Sequence, residues 1–223
     1  KKIFSPAEEE PAQAETAPKK TSPQQGQQFD LFSAPGSGTV SDQTSSERQN
    51  LDSKKHWYQT VDSPVSRELL LKNVLQQKSV CFDTETTSLD ALQAELVGIA
   101  FSWEKSKGYY LVLPEDRTKT LAILEPFKAF FEHTEIEKIG HNLKYDLKVL
   151  KNYDLKVNAP LFDTMIAHYL VNPDMRHNMD VLAETYLDYS PQSITELIGK
   201  KGANQGSMRD VAVEKQTEYA VED

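Results

Sequence analysis

Three short apolar segments follow one another in the middle of the chain and have the character of β-strands. They cover residues 79–83, 96–103 and 108–113 and are rich in β-branched and aromatic side chains. The spacers between them are short, and short connections favour antiparallel neighbours within one sheet. The pattern therefore predicts three antiparallel strands.

Beyond residue 120 the apolar period changes from that of a strand to that of a helix. Four residues share one helical face: Leu121, Leu124, Phe127 and Phe131. Brief strand-like segments at 138–140 and 161–163 then alternate with helical segments, and Asn142 is expected to cap the helix that follows it. Strands, then alternating elements, then helices predict an α/β domain with a mixed sheet.

The first 55 residues lack this periodicity and differ in composition. They hold five of the 11 prolines and seven glutamines, but only three aromatic residues. Such a stretch cannot bury enough apolar surface to offset the entropy lost on ordering. We therefore expect a disordered linker over residues 1–55 and a folded domain over residues 56–223.

Charge and composition narrow the class of protein. Residues 1–55 contain seven Lys and Arg and eight Asp and Glu, so nearly all of the net charge of -9 lies in the predicted domain. We do not expect an acidic domain to bind nucleic acid tightly through electrostatic attraction, because that requires clustered Lys and Arg. An acidic domain is compatible with a carboxylate site that binds cations. The chain has one cysteine and no apolar run of about 18 residues, which predicts a cytoplasmic protein without a disulfide framework or membrane span.

Three pairs of polar residues, each with at least one carboxylate and called acidic pairs below, are candidates for chemistry. Alternation along a strand places Asp83 and Glu85 on one side. Asp146 lies four residues after Asn142, and Asp223 lies four residues after Tyr219. In a helix, this spacing places both members of each pair on one face. Taken singly, each pair is equally well explained by a turn, a polar helix face or a helix end.

Together the pairs indicate a metal-dependent reaction. Oxygen ligands without His or Cys suit Mg²⁺ or Mn²⁺. Four carboxylates from three separate elements can hold two such ions roughly 4 Å apart, the arrangement used for in-line displacement at phosphorus. The set predicts phosphodiester cleavage if the fold brings the three pairs together.

The residues around these pairs resemble a known family. Segments 83–89, 140–146 and 219–223, which read DTETTSL, GHNLKYD and YAVED, are similar to the three motifs of the DEDDy 3′–5′ exonucleases. Over residues 56–223 the chain resembles in particular the proofreading domain of bacterial DNA polymerase I. The resemblance implies a ribonuclease-H-like fold with a five-stranded mixed sheet, three strands antiparallel and two parallel.

The resemblance also implies roles for individual residues. Two divalent cations would be held by Asp83, Glu85, Asp146 and Asp223. Asp83 would bridge the ions, and Tyr219 would position the attacking water. The family pattern places five further residues at the substrate: Thr84, Leu89, Asn142, Tyr145 and Arg176.

The same resemblance implies partners and a setting. The substrate would be a single-stranded or frayed DNA 3′ end, cleaved to 5′-nucleoside monophosphates during DNA replication and repair in the bacterial cytoplasm, at the nucleoid. A 5′-nuclease domain would precede the linker and a polymerase domain would follow, so the chain would be a fragment truncated at its C-terminus. Two alternatives stay open: an RNA-trimming exonuclease like ribonuclease D, and a non-catalytic scaffold domain.

One short motif lies within the predicted linker. Its residues are Gln28, Phe29, Asp30, Leu31 and Phe32. It resembles the pentapeptide that binds the bacterial sliding clamp, with Phe29 departing from the usual second residue. The apolar Leu31 and Phe32 could anchor in a pocket while the flanking linker acts as a tether.

Overall fold

A computed structural model of the chain describes residues 48–200, 202 and 204–223. The motif at residues 28–32 lies outside the described residues, and its binding to a clamp stays a prediction. The boundary between linker and domain after residue 55 also stays a prediction. None of the helices in the described part of the chain combines the length and apolarity needed to cross a membrane.

Six strands and eight α-helices make up the described residues, with two short 3₁₀ turns at Glu125–Phe127 and Met208–Asp210. The strands are β1 (Trp57–Val61), β2 (Ser79–Thr86), β3 (Leu96–Glu104), β4 (Lys107–Val112), β5 (Glu137–Gly140) and β6 (Leu161–Asp163). The helices are α1 (Pro64–Val74), α2 (Arg117–Leu124), α3 (Lys128–Phe131), α4 (Leu143–Asn152), α5 (Thr164–Val171), α6 (Met179–Leu187), α7 (Ile194–Ile198) and α8 (Val213–Glu222).

The strands form one mixed sheet in the order β1-β4-β3-β2-β5-β6. β2, β3 and β4 are antiparallel neighbours, and β5 and β6 continue the sheet in parallel from β2, which confirms the predicted α/β fold. The predicted count of five strands is wrong, because β1 adds a sixth strand parallel to β4. β1 was not foreseen because its residues are only partly buried before Val61 and show no clean alternation.

The main core lies between one face of the sheet and helices α1 to α4. Aromatic rings from β2, β3 and α3 meet there, including Phe82 edge-on to Phe131 at 5.4 Å and Phe101 edge-on to Phe130 at 5.8 Å. Edge-to-face pairs of this kind contribute about 0.5–1.5 kcal/mol beyond the area that they bury. This face therefore fixes the position of β2 and β5.

Helix α8 covers part of the opposite face. It contacts β1, β4, β3 and β2, and its Ala220 packs against Ala100 and Tyr110 in a second, smaller cluster. The last turn of α8 consequently lies near the carboxyl end of β2. This placement brings the third acidic pair towards the first.

Candidate active site

The first acidic pair lies at the carboxyl end of β2. Asp83 pairs with Ala100 and Glu85 with Gly98 across the antiparallel ladder to β3, and the register shifts after Glu85. The small residues opposite both carboxylates allow Tyr110 and Ala220 to pack closely beside them. Glu85 is buried and Asp83 is partly buried, so both carboxylates are withdrawn from bulk solvent.

Asp146 joins α4 to β2 directly. Its Oδ1 accepts a hydrogen bond of 2.5 Å from the Thr84 hydroxyl and one of 3.2 Å from the Thr84 backbone N–H. Asp146 is only 2% exposed, and a buried carboxylate is stable only when such donors face it. The second acidic residue is therefore fixed beside the first pair.

The start of α4 is capped by a residue distant in sequence. Asn142 occupies the position before the helix with φ of 61°, but its side chain makes no capping hydrogen bond, so the predicted cap is wrong. The Asp163 carboxylate accepts from the N–H groups of Asn142 (3.2 Å) and Leu143 (2.9 Å) instead. A left-handed residue points its side chain away from the first turn, which is why a second element supplies the acceptor.

Helix α8 brings Tyr219 and Asp223 to the same region. Its middle turn is anchored through Gln216, whose Oε1 accepts from the Tyr110 hydroxyl at 3.0 Å, and through Thr217, whose hydroxyl lies 2.8 Å from that of Thr60. Both anchors join α8 to the sheet. The i, i+4 spacing then directs Tyr219 and Asp223 to one side of the helix.

Electrostatics show that the four carboxylates share one region. Burial, and then the charges of Asp146, Glu85 and Asp223, raise the pKa of Asp83 well above its usual value. Burial, followed by repulsion from Asp223 and Asp146, raises the pKa of Glu85 to about 8. These groups repel one another unless protons or cations lie between them.

Burial is also the largest cause of the raised pKa values of Asp146 and Asp223. Burial raises the pKa of Asp146 to about 6, although the hydrogen bonds from Thr84 oppose the shift. Burial raises the pKa of Asp223 to about 7, against a stabilising hydrogen bond from Tyr219. Burial and the charge of Asp223 also raise the pKa of Tyr219, so its hydroxyl keeps its proton at neutral pH.

The side chains are near one another but are not arranged as ligands. Within residues 48–200, 202 and 204–223, no three His, Cys, Asp or Glu side chains meet at the spacing that holds one metal ion. Oδ1 of Asp146 already accepts the hydrogen bond from the Thr84 hydroxyl.

The predicted substrate residues differ in their exposure and in the elements that carry them. Leu89 is 83% exposed on the connection after β2, and the Tyr145 hydroxyl holds that connection by donating to the Ser88 carbonyl at 2.5 Å. Asn142 is partly exposed beside α4. Arg176 is exposed on the loop between α5 and α6.

A cleft of about 560 Å³ opens beside the acidic residues. Asp83, Asp223, His141, Thr164 and Met179 contribute to its walls. The volume is in the range of small-molecule binding sites.

The long-range partners of several residues that shape the site carry no recognisable signal in the sequence. Thr84, Asp163 and Tyr110 act through partners that lie 62, 20 and 106 residues away. Glu222 belongs to the same group, since it binds the Tyr189 hydroxyl 33 residues earlier. Only the fold could reveal these pairs.

Comparison with known proteins identifies the family. The model of a family described as 3′–5′ exonuclease matches residues 58–223, so the chain belongs to the 3′–5′ exonuclease family. It is 32% identical to DNA polymerase I of Borreliella burgdorferi over 78% of this chain, and 33% identical to DNA polymerase I of Pseudomonas aeruginosa over 74%. The matched region spans 19% of each of these relatives.

Solved structures with the same fold are more distant in sequence. Escherichia coli RNase D, an exoribonuclease, shares 20% identity with a TM-score of 0.57 over 74% of this chain and 41% of its own. Brucella melitensis NrnC, solved with bound Mg²⁺, shares 22% identity with a TM-score of 0.55 over 76% and 75%. These likenesses agree with the ribonuclease-H-like sheet.

Proposed function

We propose that this domain removes nucleotides from DNA 3′ ends by hydrolysing the terminal phosphodiester to a 5′-nucleoside monophosphate. The observation that carries the proposal is the convergence of four largely buried carboxylates from β2, α4 and α8. Burying like charges together is costly unless the site serves cations. The matching polymerase relatives favour DNA as the substrate.

The donor set fits two divalent cations. Asp83, Glu85, Asp146 and Asp223 offer only oxygen ligands, which Mg²⁺ and Mn²⁺ prefer. Raised pKa values at Glu85 and Asp223 mean that cation binding would displace protons and relieve repulsion. When bound, such ions supply an activated water and stabilise the leaving oxygen.

Side chains of the protein, and not only the bound cations, would contribute to the reaction. Tyr219 keeps its hydroxyl proton because burial and Asp223 raise its pKa, so it can orient the attacking water through hydrogen bonds. Asp146 is held by Thr84 and cannot swing away from β2. Fixed groups of this kind need little reorganisation when charge develops in the transition state.

The terminal nucleotide would be held by residues of the connection after β2, of α4 and of the loop between α5 and α6. We assign Leu89 to contact with the terminal base, because its apolar side chain is 83% exposed on the connection that follows Asp83 and Glu85. Asn142 and Tyr145 flank the sugar in this proposal, and Arg176 contacts a phosphate. Thr84 stays a candidate for substrate contact, although its hydroxyl hydrogen is already donated to Asp146.

A wider setting follows from the relatives. The polymerases that this chain matches are about five times its matched length, and we propose that the domain works inside such a polymerase, between a 5′-nuclease and a polymerase domain. It would then act in the bacterial cytoplasm, at the nucleoid. The acidic domain would draw DNA affinity from its neighbours.

A comparison of DNA with RNA tests this proposal against its rivals. Single-stranded DNA and RNA of one sequence, labelled at the 3′ end, are incubated with Mg²⁺ or Mn²⁺ and with wild-type chain, Glu85→Gln or Glu68→Gln. We expect faster loss of DNA, abolished by Glu85→Gln and unaffected by Glu68→Gln, since Glu68 is exposed on α1. Cleavage of RNA alone would favour the ribonuclease D reading, and no cleavage would favour a scaffold.

A further inference from the structure

Glu222 lies immediately before the predicted metal ligand Asp223 and makes two hydrogen bonds of its own. Its Oε1 accepts from the Tyr189 hydroxyl at 2.5 Å, and its Oε2 accepts from the backbone N–H of Gln192 at 3.0 Å. Both donors come from the connection between α6 and α7. Hydrogen bonds to a charged carboxylate are among the stronger ones in proteins.

Tyr189 is itself held from two directions. Its backbone N–H donates to the Ala183 carbonyl at 3.2 Å, and it forms a parallel bridge with Gln49. The Lys54 ammonium lies 4.7 Å from the centre of the Tyr189 ring. The donor to Glu222 is therefore fixed by α6 and by the segment at residues 48–54, which precedes β1.

The last turn of α8 also packs on the sheet through Ala220 and Val221, but its other side-chain hydrogen bonds to the rest of the domain lie upstream. Gln216 and Thr217 bind the sheet and the segment before α8, but they lie one to two turns before Asp223. Past Thr217, the side-chain hydrogen bonds that join α8 to other described elements are the two of Glu222.

We propose that Glu222 is a positioning residue: its hydrogen bonds to Tyr189 and Gln192 fix the last turn of α8 and thereby place Asp223 at the metal site. The inference rests on the proposed function, because it assigns Asp223 to metal binding. Glu222 does not contact the metal in this account. It acts through the backbone that it shares with Asp223.

The same contacts give the segment at residues 48–54 a part in the site. Gln49 accepts from the Ser190 N–H at 2.8 Å, and its own N–H donates to the Asp188 carbonyl at 3.1 Å. Arg48 forms an ion pair of 3.0 Å with Glu184 on α6. A chain of contacts thus leads from this segment through Tyr189 and Glu222 to Asp223.

Four variants test the proposal in the whole chain. Tyr189→Phe removes the donor, Glu222→Ala removes the acceptor, and Glu222→Gln keeps an acceptor of the same length. Tyr153→Phe is the matched control, because the Tyr153 hydroxyl accepts from the Leu96 N–H at 3.0 Å on the other face of the sheet. The Tyr153→Phe substitution removes one hydrogen bond of a tyrosine hydroxyl that does not contact α8.

Two measurements are made on each variant without DNA. Hydrogen exchange reports the protection of the last amides of α8, and calorimetry reports the Kd for Mn²⁺. We expect Tyr189→Phe and Glu222→Ala to expose these amides and to weaken Mn²⁺ binding about tenfold, the scale seen when support of a metal ligand is lost. Glu222→Gln should retain most of the affinity, and Tyr153→Phe should retain all of it.

Other results would overturn the proposal. Unchanged exchange in Tyr189→Phe would show that the hydrogen bond does not hold the helix end, and changed exchange with unchanged Kd would show that Asp223 does not depend on it. A wild-type chain that neither binds Mn²⁺ nor releases nucleotides would refute the proposed function, and this inference with it. The two failures are therefore distinguishable.

Discussion

Asp163 supports two helices at once. Its Oδ1 accepts from the N–H groups of Met165 and Ile166 at the start of α5, while the same carboxylate accepts from Asn142 and Leu143 at the start of α4. The carboxylate also lies favourably at the positive end of two helix dipoles. This residue links the strand end of β6 to the helix that carries Asp146.

Replacing Asp163 with Ala should cost more stability than the loss of an ordinary cap. A single cap contributes about 1 kcal/mol, so we expect about 2 kcal/mol from Asp163→Ala in urea unfolding. Asp116→Ala is the control, since Asp116 caps only α2, through Thr118 and Lys119. Equal losses in the two variants would contradict the double cap.

The placement of single residues could be predicted better than the contacts that support them. Asp83 and Glu85 share a side because strands alternate, and Tyr219 and Asp223 share one because helices repeat, so local spacing sufficed. The capping of α4 by Asp163 instead of Asn142 depends on a backbone φ of 61° and on a strand 20 residues later. Neither is visible in a local pattern.

At the scale of elements, the packing of α8 on the sheet depends on a glycine in β3. A Cβ on Gly98 would lie 2.2 Å from the ring of Tyr110, which is fully buried and whose hydroxyl binds Gln216 of α8. The absence of a side chain at residue 98 therefore lets Tyr110 lie flat between the sheet and the helix.

A methyl group at residue 98 should loosen this contact. Gly98→Ala must displace Tyr110, and overpacking of this kind costs about 1–3 kcal/mol. We expect a loss in that range by urea unfolding, accompanied by faster hydrogen exchange around Gln216. Gly202→Ala is the control, because no atom lies within 4 Å of a Cβ there. A loss confined to the control would disprove the account.

The sheet itself was partly predictable. Apolar runs predict β2 to β6. The structure confirms the antiparallel pairing of β2, β3 and β4 that the short spacers favour, and the two parallel strands that the family resemblance implies. β1 was missed because it pairs with β4, whose residues lie some 50 positions later, and because Trp57 remains half exposed. Edge strands carry a weak pattern, since they bury little.

At the scale of the whole molecule, the buried acids set the pH dependence of stability. Without metal, the pKa values of Glu85, Asp223 and Asp146 are raised to about 8, 7 and 6, from ordinary values of 4.5 and 3.8. The folded protein therefore holds more protons than the unfolded chain between about pH 4 and 8. Its stability should fall as the pH rises through this window.

Thermal unfolding in EDTA tests whether stability falls as the pH rises. We expect the Tm to fall by about 5 °C or more from pH 5.5 to pH 8.5, since 1 kcal/mol shifts the Tm of such a domain by roughly 2–4 °C. Glu85→Gln should flatten the profile because it removes the group with the pKa of about 8. Added Mn²⁺ should raise the Tm more at pH 8.5 than at pH 5.5. A Tm that rises with pH in EDTA would contradict the shifts.

The most direct test of the central claim is the release of 5′-mononucleotide from 3′-labelled single-stranded DNA by wild-type chain and by Asp83→Ala. We expect release that needs Mg²⁺ or Mn²⁺ and that falls roughly a hundredfold to a thousandfold in the variant, the scale lost when one group that stabilises the transition state is removed. Release that persists in EDTA, or that is equal in the two chains, would contradict a metal-dependent exonuclease built on these carboxylates.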